Sequence, residues 1–153
     1  MNLGLKLRSH ILGFPVVLLV LTIISFGLLL PNLGFYWDDW ETVLVQQQMG
    51  IEKYWDYFDR DRPYAAWTYM IFSPVAGVNP LYWQLVAFLL RYLTVIGMWR
   101  FIRCVWPDQK RLAGFAALLF AVYPVFLQQH ISMSYHQHWT QYLLFFISFE
   151  LMT

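Results

Sequence analysis

The sequence predicts an all-α, polytopic transmembrane helical protein with short juxtamembrane helices in its first extracytoplasmic loop. Hydrophobic residues make up 59% of the 153 positions and charged residues only 12%, about half of the quarter that is usual in soluble domains. Residues 11–30 contain no charge, and a run of about 20 apolar residues is the length that crosses a bilayer. Seven of the nine acidic residues lie between Asp38 and Asp61. The rest of the chain is therefore nearly uncharged, as expected for membrane-embedded helices.

Composition also excludes two classes of site. The formal net charge is +1 and the Lys and Arg residues form no basic block, so the sequence carries no nucleic-acid-binding footprint. Cys104 is the single cysteine, so the chain can form neither an internal disulfide nor a cysteine-based metal cluster.

The first predicted transmembrane helix covers residues 11–30. Lys6 and Arg8 precede it, which places the N-terminus on the cytoplasmic side. The run is longer than the apolar region of a signal peptide and ends without an Ala-x-Ala cleavage pattern, so we expect it to be retained.

The next segment, 31–80, is predicted to be an acidic extracytoplasmic loop. Thr42–Met49 has the composition of a short amphipathic helix lying on the membrane surface. The tyrosines and tryptophans that follow suit the level of the lipid headgroups. We therefore expect this loop to be ordered against the membrane.

Two topologies are open for the apolar segment 64–78, which contains Pro74. If the segment spans, seven Lys and Arg residues flank the helices outside and two inside; if it does not, three lie outside and six inside. The positive-inside rule favours the second topology, and so does a length below the ~20 residues of a spanning helix. We predict a juxtamembrane or shallow re-entrant helix on the outer side.

The later segments follow from that choice. They are a second transmembrane helix at 81–105, a cytoplasmic loop at 106–111, a third helix at 112–127, an outer loop at 128–138 and the start of a fourth helix at 139–153. No charge or aromatic belt closes the fourth helix, so we expect the chain to be the N-terminal part, a fragment, of something longer.

Two charges, Arg91 and Glu150, fall inside predicted helices at matching depths. An unpaired charge at such a depth costs about 2.5–3.5 kcal/mol. We therefore predict that these two residues pair or share a polar cavity.

Several short motifs follow the first helix in a recognisable order. Phe-Tyr-Trp-Asp-Asp-Trp occupies 35–40, and Asp61-Arg62-Pro63, Asn79-Pro80 and Ala-Ala-Leu-Leu-Phe-Ala-Val-Tyr-Pro at 116–124 come after it. This arrangement resembles the N-terminal half of the integral-membrane glycosyltransferases of the GT-C fold, the superfamily of protein O-mannosyltransferases, aminoarabinose transferases and oligosaccharyltransferases. The similarity covers most of the chain.

The resemblance implies an enzyme of the cell (inner) membrane that transfers a sugar from a polyprenyl-phosphate-linked donor to an acceptor on the extracytoplasmic side, with inversion. It implies that Asp38 or Asp39 is the acid of the first outer loop and that Arg62 lies near the donor's phosphate. The family often carries another acid in the second outer loop, where this sequence has none. His136 or His138 could replace that acid as a polar or metal-binding group.

The carboxylates and the arginine each have a simpler interpretation as well. Asp38 and Asp39 could act as a general base, or as ligands that hold a divalent metal, Mg²⁺ or Mn²⁺, against the donor's diphosphate. In the simpler interpretation they are only polar residues at the point where the first helix leaves the membrane. We predict that Asp38 is the essential acid and that Asp39 assists by orienting the surface helix or a metal. Arg62 either clamps a phosphate oxygen or pairs with Asp59 or Asp61 on a wet surface.

The aromatic residues and histidines are similarly open to two interpretations. Trp37 and Trp40 either stack on a sugar ring or belong to the interfacial aromatic belt. His136 and His138 either bind substrate or metal, or form interfacial hydrogen bonds.

Two other functions compete with the enzyme. One is a non-catalytic membrane protein, a transporter or an assembly subunit, and the other is an inactive truncated fragment. Transporters place polar sites near the bilayer midplane, whereas these carboxylates cluster outside, which favours the enzyme.

Overall fold

The computed structural model describes residues 3–123 and 130–153, with only the backbone described for 3–12. Its helices are α1 (Leu3–Thr22, continued by a π-helical turn over Ile23–Gly27), α2 (Asp39–Met49), α3 (Tyr54–Phe58), α4 (Ala66–Ala76), α5 (Pro80–Val105), α6 (Lys110–Val122) and α7 (Ser132–Met152). No strand occurs in these ranges. The predicted all-α class is confirmed.

The helices α1, α5, α6 and α7 form a bundle whose directions are fixed by side-chain contacts. Helices α1 and α5 are antiparallel, because Phe14 packs at 5.2 Å on Trp99 near the end of α5, whereas Phe26, further along the chain, lies against Arg91, nearer the start of α5. Helices α5 and α7 are parallel, since Thr94 Oγ1 donates to the Trp139 carbonyl at 3.0 Å and Cys104 meets Thr153 further along. Helices α1, α5 and α6 share one buried apolar core, and α7 packs along α5.

Small residues let α6 approach its neighbours closely. Ala113, Ala117 and Ala121 are fully buried, and their spacing of four places them on one helix face. Small side chains at such a seam are a common device for packing helices in membranes. The opposite face is apolar but uncovered, because Phe115 is 65% and Leu119 68% exposed.

Residues 33–79 fold into a compact layer, here named the cap, at the end of the bundle where α5 and α7 begin. Its core is aromatic: Tyr69 lies 4.7 Å from Tyr54 and 4.9 Å from Phe58 between ring centroids. Trp83, in the first turn of α5, donates its indole N–H to the Gly77 carbonyl at 2.8 Å. The cap is thus joined to the bundle by buried contacts.

Helix α4, the core of the segment 64–78, lies wholly within the cap. It has 11 residues and is therefore about 16 Å long, roughly half of the ~30 Å of a bilayer's hydrocarbon. A helix of this length is too short to cross.

Two predicted boundaries near the second outer loop need correction. Helix α6 ends at Val122, and Tyr123 has an extended ψ of 120°, because Pro124 disfavours helical backbone in the residue before it. The rest of the third helix predicted at 112–127, and Gln128 and Gln129, lie outside the described residues. The loop predicted at 128–138 is wrong from Ser132 onward, where α7 already begins.

The predicted pair of Arg91 and Glu150 is also wrong. Arg91 is fully buried, lies 3.3 Å from the centroid of the Phe26 ring and donates to the Ala121 carbonyl at 3.1 Å. Glu150 instead accepts from Arg100 Nε at 2.9 Å. The reason is the earlier start of α7: about seven further residues of helix carry Glu150 roughly 10 Å deeper, to the level of Arg100.

Candidate functional site

A tight turn at Tyr36–Asp39 begins α2 and points its two carboxylates in different directions. The Asp39 N–H donates to the Tyr36 carbonyl and the Trp40 N–H to the Trp37 carbonyl, both at 3.0 Å. Successive residues entering a helix differ by about 100° in direction. Asp38 is therefore exposed while Asp39 is fully buried.

Asp39 is held by two backbone N–H groups. Its Oδ1 accepts from Ser134 at 2.7 Å, and its Oδ2 accepts from Tyr36 at 3.4 Å. Ser134 is the third residue of α7, one of the first four whose N–H has no acceptor within the helix. Asp39 thus acts as an N-terminal cap for a helix that lies 95 residues away.

Two opposing effects act on the Asp39 carboxyl. Burial raises its pKa above the ordinary value, while the hydrogen bonds from Ser134 and Tyr36 lower it, and burial is the larger effect. The negative charge is also favoured by the positive end of the α7 dipole. Asp39 is consequently a structural anchor between this turn and α7, and its predicted task of orienting the surface helix stays a prediction.

The pair Asp38 and Asp39 does not fit a shared metal site. Both oxygens of Asp39 already accept protein N–H groups, and Asp38 lies on the other side of the turn. In the part of the chain that the structure describes, no group of three or more His, Cys, Asp or Glu side chains is placed to hold a metal ion. We therefore assign no metal to this turn.

Asp38 shares its side of the cap with other polar groups. Tyr57 donates its hydroxyl to Glu41 Oε2 at 2.7 Å. The pKa of Tyr57 is raised to about 12, first by burial and then by Glu41, and the charges of Arg62 and Asp38 also act on it. The hydrogen bond places Tyr57 beside Glu41, whereas the sequence predicted Asp38 and Arg62 as the functional residues of this loop.

Arg62 lies at the edge of this group. Its Nε donates to Asp61 Oδ2 at 2.7 Å, and its guanidinium lies 5.5 Å from the centroid of the Phe58 ring. The Asp61 contact is the ion pair that the sequence offered as the simpler interpretation. Such an exposed pair is worth only ~0–1 kcal/mol, so Arg62 can exchange it for a phosphate oxygen. Phosphate binding by Arg62 stays a prediction.

The two histidines have different surroundings. His136 is fully buried; its Nε2 lies 2.9 Å from Thr68 Oγ1, its Nδ1 2.6 Å from the Met133 carbonyl, and its ring 5.0 Å from that of Trp83. The prediction that His136 binds substrate or replaces an acid is wrong for this arrangement, because packing closes it off. It joins α7 to the cap instead.

His138 lies on the outer end of α7, ahead of the span predicted at 139–153, and is half-buried. Burial lowers its pKa, and the nearby positive charge of Arg62 lowers it further. The predicted contact of His138 with substrate remains a prediction.

The two predicted tryptophans face different surroundings. Trp40 packs at 5.8 Å on Phe35 and lines an open cleft of about 430 Å³ with Tyr36 and Val43. Trp37 is not among the residues lining this cleft and is 78% exposed. Sequence analysis treated the two as equivalent, and only the fold separates them.

Sequence analysis missed two residues that hold this site, Ser134 and Thr68. Ser134 is the donor to Asp39, and Thr68 is the partner of His136. Serine shortly after a helix start is a local signal, but no local pattern names a capping carboxylate that is 95 residues away.

Comparison of the chain with protein-family models, with curated proteins and with solved structures finds no match.

Proposed function

We propose that this protein is a membrane glycosyltransferase similar to those of the GT-C fold. It takes a sugar from a polyprenyl-phosphate-linked donor and transfers it to an acceptor hydroxyl on the extracytoplasmic side. The observation that carries the proposal is the exposed carboxylate of Asp38, at the end of the apolar helix bundle where α5 and α7 begin, next to the buried Asp39.

The distribution of apolar and charged residues supports a membrane location. In the described residues, two stretches, Gly13–Asn32 and Pro80–Val105, are long and apolar enough to cross a bilayer. Between the cap and the opposite end of the bundle, the sequence places one charge in the helices, Arg91, and it is buried. A charge that far inside a bilayer is tolerated where it is turned into the protein and has partners.

Charge asymmetry supports an outer location for the cap. The cap carries seven acidic and three basic residues, while Lys6, Arg8, Arg100, Arg103, Lys110 and Arg111 flank the helices at the other end. Basic residues accumulate on the cytoplasmic side. A lipid-linked donor that presents its phosphate at the outer interface would meet the cap there.

The proposed chemistry assigns one role to each exposed side chain. Asp38 accepts the proton of the acceptor hydroxyl as its oxygen attacks the anomeric carbon of the sugar. The bond from that carbon to the donor's phosphate breaks, and polyprenyl phosphate leaves with the electron pair. Arg62 stabilises the charge on the departing phosphate. Inversion at the anomeric carbon is implied by the resemblance alone.

The test is release of polyprenyl phosphate in membranes that contain the full-length protein, supplied with a panel of polyprenyl-phosphate-linked hexoses and pentoses. Asp38→Asn should insert and accumulate like the wild type but release product ~10²–10⁴-fold more slowly, the usual scale for a general base. The matched controls Asp59→Asn and Asp61→Asn remove exposed carboxylates of the same cap and should lose much less. Near-normal release by well-folded Asp38→Asn would refute the role of Asp38.

A further inference from the structure

The backbone of the tight turn at Tyr36–Asp39 is strained at Trp37. Its φ is +46°, and within the described ranges it is the one residue other than glycine with a positive φ. For an L-residue with a Cβ, this left-handed region is sterically unfavourable, and for a bulky residue it is a true outlier. Strain of this kind persists where surrounding contacts impose it, and it gathers at functional sites.

The contacts that impose it lie on both sides of Trp37. Before it, the Tyr36 ring packs edge-on against His130 at 5.0 Å. After it, Asp39 is anchored to the start of α7 through Ser134 and reaches back to the Tyr36 N–H. Asp39 and Ser134 are buried and Tyr36 is half-buried, so these contacts fix the backbone on both sides of Trp37.

This conformation exposes the indole beside the proposed base. Trp37 is 78% exposed and immediately precedes the exposed Asp38. A tryptophan that merely belongs to the interfacial belt needs no special backbone, as Trp55 shows: it is 49% exposed from an ordinary helical position in α3. A strained position for Trp37 therefore needs another explanation.

We infer that Trp37 is the platform on which a pyranose ring of the substrate stacks, presented next to Asp38 by the turn that Asp39 anchors. One face of a pyranose ring presents C–H groups. These groups are apolar, and their hydrogens carry a slight positive charge, which suits the negative face of an indole. The sugar hydroxyls project sideways from such a stack, where the carboxylates of Asp38 and Glu41 can accept their hydrogen bonds. This inference rests on the proposed function for the identity of the ligand.

The strain is tested by comparing glycine with alanine at two positions. Both substitutions remove the ring, but only glycine is free of a Cβ penalty at positive φ. Trp37→Gly should therefore melt several degrees above Trp37→Ala in detergent. At Trp55, which is helical, the order should reverse, because glycine is the poorer helix former. Equal melting of the two Trp37 variants would refute the strain.

Stacking is tested by saturation-transfer NMR on the protein in lipid nanodiscs, with the methyl pyranosides of glucose, galactose and mannose as probes. The wild type and Trp55→Ala should transfer saturation to the sugar ring protons, Trp37→Phe should retain part of the signal, and Trp37→Ala should lose it. Equal signals from wild type and Trp37→Ala, or no wild-type signal with any probe, would refute the platform and leave Trp37 as an interfacial anchor.

This readout separates the two proposals. Sugar binding that depends on Trp37, without release of polyprenyl phosphate from any donor, would support the platform and refute the transferase. Release with an unchanged KM in Trp37→Ala would support the transferase and refute the platform.

Discussion

Asp39 Oδ1 accepts a hydrogen bond from the Ser134 N–H at 2.7 Å, which joins the turn at the start of α2 to the first turn of α7. Both groups are buried. This contact divides the adjacent aspartates into an anchor and an exposed acid, and it explains why α7 begins seven residues before the predicted start.

Alanine substitutions at the two adjacent aspartates should have very different effects on stability. Asp39→Ala leaves the buried N–H of Ser134 and the part-buried N–H of Tyr36 without their acceptor and should lower the free energy of unfolding by ~1–3 kcal/mol. Asp38→Ala, at an exposed site, should change it by less than ~0.5 kcal/mol. Thermal unfolding in detergent measures both.

Asp39→Asn is the matched control, because its amide oxygen can still accept from Ser134. It should therefore keep most of the stability that Asp39→Ala loses. If Asn and Ala are equally damaging, the negative charge rather than the hydrogen bond is what α7 requires.

The contribution of Asp39 should depend on pH in a specific direction. Burial raises its pKa in the folded state above the ordinary value, so between those two values the folded protein binds more protons than the unfolded chain. Stability from this group then decreases as pH rises through that interval. The melting temperature of the wild type, measured relative to Asp39→Asn, should fall as the pH rises from the ordinary pKa of a carboxyl through the raised pKa of Asp39, and then level off. A relative melting temperature that rises with pH would mean that the hydrogen bonds outweigh burial.

Double-mutant cycles should separate Arg91 from Arg100, two of the three arginines of α5. Arg100 and Glu150 are in contact and partly exposed, so Arg100→Gln with Glu150→Gln should show a coupling of ~0.2–1 kcal/mol. Arg91 contacts Phe26 and the end of α6, so Arg91→Lys with Glu150→Gln should be additive within ~0.5 kcal/mol. The free energy of unfolding in detergent is the measurement. Strong coupling of Arg91 to Glu150 would restore the pairing that the structure contradicts.

The proposed topology places residues 106–111 in the cytoplasm. A cysteine introduced at Gln109, in a background where Cys104 is replaced by serine, should resist a membrane-impermeant thiol reagent applied to intact cells. A cysteine at Asp59, in the exposed part of the cap, should react readily. Rapid labelling at Gln109 in intact cells would overturn the topology, while labelling there only after lysis would support it.

The sequence by itself determined the features that depend on neighbours along the chain. The uncharged run before Pro31, the helix that follows Pro80 and the clustering of acids after Asp38 are local in sequence, because hydrophobic length and helix start signals act within one or two turns. They were enough to predict the class, the order of helices and the location of an acidic loop.

Only the tertiary structure decided which residues of that loop face outward and which are buried. Asp38 and Asp39 are chemically identical neighbours, and their roles separate because one meets a helix end from a segment 95 residues away. The same contact sets the start of α7, and that start moves Glu150 from the level of Arg91 to that of Arg100. Burial and helix capping at this site join distant segments, so their free energies are properties of the packed fold and no local pattern contains them.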